Sequence, residues 1–330
     1  MNDLALAAYA AETGRHVVEE PRVHRFERFR RSFDEAAFRA GLAGLGVAFS
    51  GRSEATYPSL LRELHDPPPG LFLRGSGDPE LLGRRAVAIV GARACSSYGS
   101  QVARLLGREL AAAGLVVISG LARGIDGEAH RGALEAGGRT VAVLGCGIDR
   151  DYPAAHAQLA ARVCERGLVV SEYAPGVEPA PWRFPARNRI IAGLAVATIV
   201  VEARERSGSL ITADFALESG REVFAVPGEI TSALSVGANA LLRLGATPLT
   251  SPGDVLESLG FVPALPPPAE LGETPLRVLE ALGREPSGVD RLVRETGLDA
   301  AEVATALAEL ELSGAVAEAD GRYRGVRPQG

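Results

Sequence analysis

The chain has 330 residues, 46% of them apolar and 23% charged, an ordinary composition for a folded protein long enough for two or three domains. Its 35 basic and 41 acidic side chains give a formal net charge of −6. It is therefore no basic nucleic-acid coat, and any nucleic-acid site has to be a local patch. No lysine occurs, so every basic side chain is arginine. That excludes a P-loop of the GxxxxGK[ST] type, a Schiff-base or pyridoxal lysine, and a lysine general base.

Cys95, Cys146 and Cys164 are sparse, odd in number and without a CxxC pair, which predicts a reducing compartment, the cytoplasm, and no disulfide framework. The opening M-N-D-L-A-L-A-A-Y is acidic rather than basic and does not read as a secretory signal. The longest uncharged apolar run, 190–201, is too short to cross a bilayer, so no membrane partner is expected.

In chain order, residues 1–50 read as a helical, weakly amphipathic N-terminal segment with an arginine-rich stretch, R-F-E-R-F-R-R, at 25–31. The next domain, 51–262, holds short apolar runs at 86–90, 116–119, 140–144, 168–171, 198–201, 222–226 and 247–250, separated by helical stretches. Runs apolar on both faces are strands of a mainly parallel sheet covered by helices, which predicts a doubly wound α/β domain. A proline-rich linker over 263–272 ends it.

The last stretch, 273–330, shows helical patterns at 274–283, 287–296 and 299–313 and a D-G hairpin signal at 320–321, which predicts a winged helix. Its third helix carries Asp299, Glu302, Glu309 and Glu311 and no basic residue, and residues 270–330 hold 7 arginines against 12 acids, a balance of −5. Such a helix is repelled by phosphates, so a protein-contact or packing role is preferred to groove reading, with backbone contact by Arg322, Arg324 and Arg327 of the wing left open.

Sites in such sheets lie at the C-terminal ends of the strands. After the first parallel run comes G-A-R-A-C-S-S-Y-G at 91–99, where Gly91 allows a tight turn and Arg93 projects over the sheet edge; it lacks the later glycines of a dinucleotide fingerprint. After the second comes S-G-L-A-R-G-I-D-G-E-A-H at 119–130, placing Ser119, Gly120 and Arg123 in one turn. There Asp126 is read as a helix cap and His130 as a core residue rather than as an acid–base couple. Cys146, in G-C-G-I-D-R-D-Y-P at 145–153, is read as a small buried thiol. Five scattered histidines without paired spacing predict no metal site.

The densest stretch is 182–212. Trp182, the only tryptophan, and Phe184 lie beside Arg183, Arg187, Asn188 and Arg189 in what reads as an aromatic and basic loop, a pairing suited to stacked bases and phosphates. In S-G-S-L-I-T-A at 207–213, Gly208 frees the backbone while Ser207, Ser209 and Thr212 offer hydroxyls at the entry to a helix expected over 209–219, a phosphate-attracting arrangement.

Six ordered motifs carry a family resemblance: V-G-A-R at 90–93, S-G-L-A-R-G-I-D-G-E-A-H at 119–130, F-P-A-R-N-R-I-I-A-G-L at 184–194, V-V-E-A-R-E-R-S-G-S-L-I-T-A at 200–213, V-F-A-V-P-G at 223–228 and G-A-N-A-L-L-R-L-G-A at 237–246. Together with a lead-in at 57–75 they resemble the DNA-processing protein A family, also called Smf or DprA. The resemblance implies a non-enzymatic, usually homodimeric protein that needs no cofactor. It also implies an extended Rossmann-like domain that binds single-stranded DNA without sequence preference, and a mediator that protects incoming strands and loads the RecA recombinase in natural transformation, or competence. On that resemblance Arg93, Arg187 and Arg189 match the family's basic DNA pocket, Phe184 falls where bases are met, and 207–209 matches a phosphate-like anion site. Many members begin with a sterile-alpha-motif or helix-hairpin-helix segment carrying a Gly-x-Gly turn between apolar helices, and none is expected in residues 1–50.

Two other readings compete. One is a nucleotide-processing enzyme resembling the lysine-decarboxylase-like phosphoribohydrolases, whose P-G-G-x-G-T-x-x-E signature is here replaced by S-G-S-L-I-T-A-D, without the catalytic Glu in its place. The other is a winged-helix transcription regulator, against which the acidic third helix counts.

Overall fold

The seven apolar runs do form one sheet, and the order of its strands decides where a ligand can sit. The computed structural model describes residues 3–13, 24–261, 272–282, 287–312, 315–319 and 322–325. The chain divides into two compact units, Met1–Val255 and Leu256–Gly330. In the first unit, α1 (Asp3–Thr13), α2 (His24–Ser32) and α3 (Glu35–Gly44) precede β1 (Val47–Gly51), α4 (Ser59–Arg62) and β2 (Gly70–Arg74). Then come β3 (Ala86–Val90), α5 (Ser97–Ala112), β4 (Val116–Ser119), α6 (Ile125–Glu135), β5 (Thr140–Val143), α7 (Ala157–Arg166) and β6 (Leu168–Ser171). The unit continues with α8 (Arg183–Gly193), β7 (Ala197–Val200), α9 (Gly208–Glu218), β8 (Glu222–Ala225), α10 (Val236–Arg243) and β9 (Thr247–Pro248), and α11 (Pro252–Ser258) follows.

The nine strands lie in the order β1-β2-β6-β5-β4-β3-β7-β8-β9. From β6 to β9 every pairing is parallel, while β1 and β2 add antiparallel strands at one edge. The chain winds outward from β3 through β4 and β5 to β6, returns to lay β7 against the other side of β3, and winds away through β8 to β9. The reversal makes the crevice beyond Val90 and Val200 the topological switch point, where ligands of open α/β sheets bind.

Side chains alternate between two cores. Val141 and Val143 of β5 pack on one face with Ile190 and Ile191 of α8 and Ala213 of α9, whereas Ala142 and Leu144 pack on the other with Leu159 and Val163 of α7 and Leu4 of α1. No described helix is long and apolar enough to cross a membrane.

One departure from the sequence reading concerns the N-terminal third. Residues 47–51 are strand rather than helix, paired with β2 in the register Val47↔Arg74 to Gly51↔Gly70; only two residues separate them from α3, so the helical pattern upstream obscured the short alternation. The helices are tied into this unit. Leu4, Leu6 and Phe26 are buried, and the Asp3 carboxylate accepts from the Ser53 amide and hydroxyl at 2.8 and 2.6 Å. The one Gly-x-Gly triplet in residues 1–50, Gly44–Leu45–Gly46, joins α3 to β1.

The second unit holds α12 (Glu273–Leu282), α13 (Val289–Thr296), α14 (Ala300–Leu312) and a hairpin of β10 (Val316–Ala319) with β11 (Arg322–Gly325), the three helices and wing of a winged helix. Gly297 ends α13 in the left-handed region at φ 70°. Two of the acids of α14 are helix-start devices: the Asp299 carboxylate accepts from the Glu302 amide at 2.8 Å and Glu302 accepts from the Asp299 amide at 2.9 Å, a reciprocal capping box. The expected D-G turn at 320–321, Arg327, and the proline stretch over 263–272 apart from Gly272 lie outside the described residues.

Candidate nucleic-acid interface

The stretch expected as an aromatic and basic loop is helical from Arg183, with Pro185 in the first turn of α8, where its missing N–H costs no intrahelical bond. Helical spacing then sorts its side chains. Phe184, Arg187, Asn188 and Ile191, at i, i+3, i+4 and i+7, line a cavity of ≈ 220 Å³ at the switch point. The opposite wall is Ser207, Gly208, Ser209 and Thr212 at the start of α9, and the mouth carries Gly91 and Arg93 from the turn after β3. Ala122 and Asp126 supply the floor.

Arg187 is buried. Its Nη1 donates to the Gly120 carbonyl at 2.9 Å and to the Val143 carbonyl, and its Nε to Asn188 Oδ1 at 3.3 Å. Asn188 in turn donates to the Gly208 carbonyl at 3.0 Å, tying α8 to the start of α9. Burial pushes the Arg187 guanidinium down to about 10, with Asp126 working the other way, so it keeps its charge at neutral pH. Asp126 sits in the first turn of α6 after Gly124, and its Oδ2 accepts from the amides of Gly120 and Ala122 at 3.2 and 3.3 Å. Burial raises its pKa, against the pull of Arg187 and those two amides. Arg93 is exposed and has no ion pair among the described residues; its guanidinium lies 5.4 Å from the Phe184 centroid.

The helix that follows β3 offers no comparable seat. The buried Glu202 carboxylate, at the end of β7, accepts from the Ser96 amide at 2.9 Å and the Ser96 hydroxyl at 2.5 Å. A Cβ on Gly99 would fall 2.4 Å from its Cδ. An internal anion thus occupies the positive end of α5. At α9 the cap is the Ser207 hydroxyl, which accepts from the Ser209 amide at 3.4 Å, and this positive helix end faces the cavity.

Three expected site residues stand elsewhere. Arg189 lies ~200° around α8 from Arg187, buried against Glu172 at 2.5 and 3.1 Å and Asp66 at 3.3 Å. Burial works against its charge, but Glu172 and Asp66 more than restore it, so its pKa rises. It belongs to the core and does not join Arg93 and Arg187. Ser119 is fully buried and donates to the Ile89 carbonyl at 2.6 Å, bracing β4 on β3 rather than meeting an anion. Trp182 remains 45% exposed, but its ring holds the Arg183 guanidinium at 4.8 Å and lines neither this cavity nor its neighbour. Arg123 and Gly120 line a second cavity next to the first, together with Arg93, Phe184, Arg187 and Tyr152.

The remaining chemical candidates are structural. His130 is buried, with Nδ1 donating to Thr140 Oγ1 at 2.7 Å, because the Thr140 hydroxyl itself donates to the Val117 carbonyl. Burial pushes its pKa down to about 3, and among the described residues it makes no hydrogen bond to Asp126. Burial pushes the Cys146 thiol up to about 11, which leaves it protonated and unreactive at neutral pH. Among the described residues no group of His, Cys, Asp or Glu could hold a metal ion.

A doubly wound, mainly parallel sheet with an open cavity at its switch point, followed by a winged helix, defines the class of this chain: a Rossmann-like α/β protein with a C-terminal winged-helix domain. Residues 48–260 match the family described as DNA recombination-mediator protein A, residues 262–322 match the DprA winged helix domain, and the chain belongs to that family. It is 43% identical over 279 residues to Protein Smf of Escherichia coli, covering 81% of this chain and 74% of that protein. The X-ray structure of DNA processing protein A from Streptococcus pneumoniae superposes with a TM-score of 0.66 at 39% identity, covering 77% of this chain and 91% of that one. DNA processing protein A from Helicobacter pylori, whose structure describes a unique single-stranded DNA binding mode, gives 0.58 at 31% identity over 64% of this chain and 95% of that one.

Proposed function

We propose that this chain binds single-stranded DNA through the switch-point cavity, acting by binding rather than catalysis. In this reading it is a cytoplasmic, homodimeric recombination mediator that protects incoming strands and passes them to RecA in natural transformation. The observation that carries the binding step is the convergence of Arg93, Arg187 and the start of α9 on one small cavity, a site for phosphate beside a flat ring. Family membership and the single-stranded DNA binding mode of the Helicobacter pylori relative support it. The nucleotide-hydrolase reading fares worse. Of the carboxylates before and within α9, Glu202 is spent on Ser96 and neither it nor Glu205 nor Asp214 lines the cavity, while the one acid that does, Asp126, is buried and accepts from the Gly120 and Ala122 amides.

Labelled poly-dT titrated across a salt series should bind more tightly than duplex of equal length, with log K falling linearly in log salt. Equal affinity for the two, or no salt dependence, overturns the binding step. Light scattering of the free protein at the mass of one chain would remove the homodimer. Unchanged RecA filament formation on that DNA would remove the hand-over.

A further inference from the structure

Across Phe184 from the anion cavity lies a larger one of ≈ 610 Å³, and Arg93, Phe184 and Arg187 form the wall between them. The ring of Phe184 is already engaged by protein. Tyr152 stacks on it at 5.2 Å between centroids with 28° between planes, Arg93 lies over it at 5.4 Å, and a Cβ on Gly145 would come within 2.8 Å of its edge. Phe184 is thus a support, and the ring it supports is the available one. Tyr152 is 41% exposed and its hydroxyl makes no hydrogen bond among the described residues.

The charge in this cleft is complementary to a nucleic-acid backbone. Arg123 is exposed and without an ion pair among the described residues. Asp151, the one acid in the lining, is held by Arg74 at 2.5 Å. An aromatic face fixed from behind, with a free arginine beside it, is the combination that single-strand sites use to hold a base and its phosphate.

We propose that this cleft is a second nucleotide subsite, in which the outer face of Tyr152 stacks one base and Arg123 meets the adjoining phosphate, so that the chain grips neighbouring nucleotides on either side of Phe184. The proposal rests on the single-stranded DNA reading above and extends it to a residue and a cavity outside the switch point. A base on Tyr152 cannot remain stacked within a duplex, so the subsite favours single strands.

The test compares oligo-dT with a fully abasic oligomer of the same length, which keeps the phosphates and lacks the bases. Tyr152→Ala should weaken oligo-dT binding about 5- to 150-fold, the equivalent of ~1–3 kcal/mol for one stacked base, and leave the abasic oligomer unaffected. Tyr152→Phe should bind both as the parent does. Tyr152→Leu, which keeps apolar bulk without a π face, should behave as the alanine variant and replaces it if that variant melts early. Arg123→Ala should weaken both oligomers alike.

Parental oligo-dT affinity in both the Ala and Leu variants overturns the subsite alone. An equal loss on both oligomers does the same, because it assigns Tyr152 a structural role. A parent protein that binds neither oligomer overturns the single-strand reading, and the subsite with it.

Discussion

Two helix starts face the switch point, and the protein treats them oppositely. At α5 the positive end of the helix is filled from within by Glu202, through Ser96. At α9 the cap is a neutral serine and the backbone beside it lines an open cavity. The first turn of a doubly wound sheet is where dinucleotide-binding proteins seat a pyrophosphate; here that position is satisfied internally, and the helix start left open is the one after the returning strand. One turn of α8 repeats the contrast, with Arg187 turned to the cavity and Arg189 closed by Glu172 and Asp66. A basic residue near the site is therefore no guide to its job until its partners are known.

The sharpest way to break this division is to remove its closed members. Arg189→Ala strands the buried Glu172 carboxylate and should cost ~3–5 kcal/mol of stability, read by denaturant unfolding, while the folded fraction keeps its poly-dT affinity and salt slope. A stable variant with a flattened slope would put Arg189 back among the phosphate contacts. Glu202→Ala should cost less, ~1.5–3 kcal/mol for hydrogen bonds to a charged group. It should also vacate the start of α5, so that inorganic phosphate raises the melting temperature of the variant more than that of the parent. Identical phosphate responses would mean that Glu202 was not standing in an anion's place.

Sequence pattern alone located much of this. The parallel runs of β3 to β7 were legible because strands buried on both faces are continuously apolar, and the S-G-S-L-I-T start of α9 because hydroxyls and glycine mark a helix entry. The closed half was not. Nothing in V-V-E-A-R at 200–204 announces that Glu202 reaches back to Ser96, a partner 106 residues away, and Arg187 and Arg189 look alike until the helix is known to include them. The i, i+3, i+4, i+7 spacing of Phe184, Arg187, Asn188 and Ile191 was the available signal, masked by the W-R-F-P opening that reads as loop. Tyr152 was passed over because its role depends on a ring 32 positions later.

The open members should behave differently from the closed ones. Arg93 has no ion pair among the described residues to lose, so Arg93→Ala should leave the melting temperature unchanged. It should lower poly-dT affinity by about tenfold and reduce the salt slope by about one, the signature of one lost phosphate contact. A variant that melts early with an unchanged slope would make Arg93 a brace for Phe184 instead.

The smallest effect expected is the most discriminating. Gly208 lines the cavity at the first position of α9, its φ is not in the left-handed region, and a Cβ there would meet no atom within 4 Å. The backbone therefore does not require glycine at this point, and helix propensity argues mildly against it. Gly208→Ala should leave stability within ~0.5 kcal/mol of the parent or raise it slightly. The added methyl would stand on the cavity wall, where a bound phosphate approaches the helix start, and should weaken poly-dT binding by about 3- to 10-fold, or ~0.7–1.4 kcal/mol. A substitution neutral to the fold and harmful to binding places the ligand against the start of α9. Parental affinity in Gly208→Ala would leave the two helix starts equally without a ligand and remove the contrast between them.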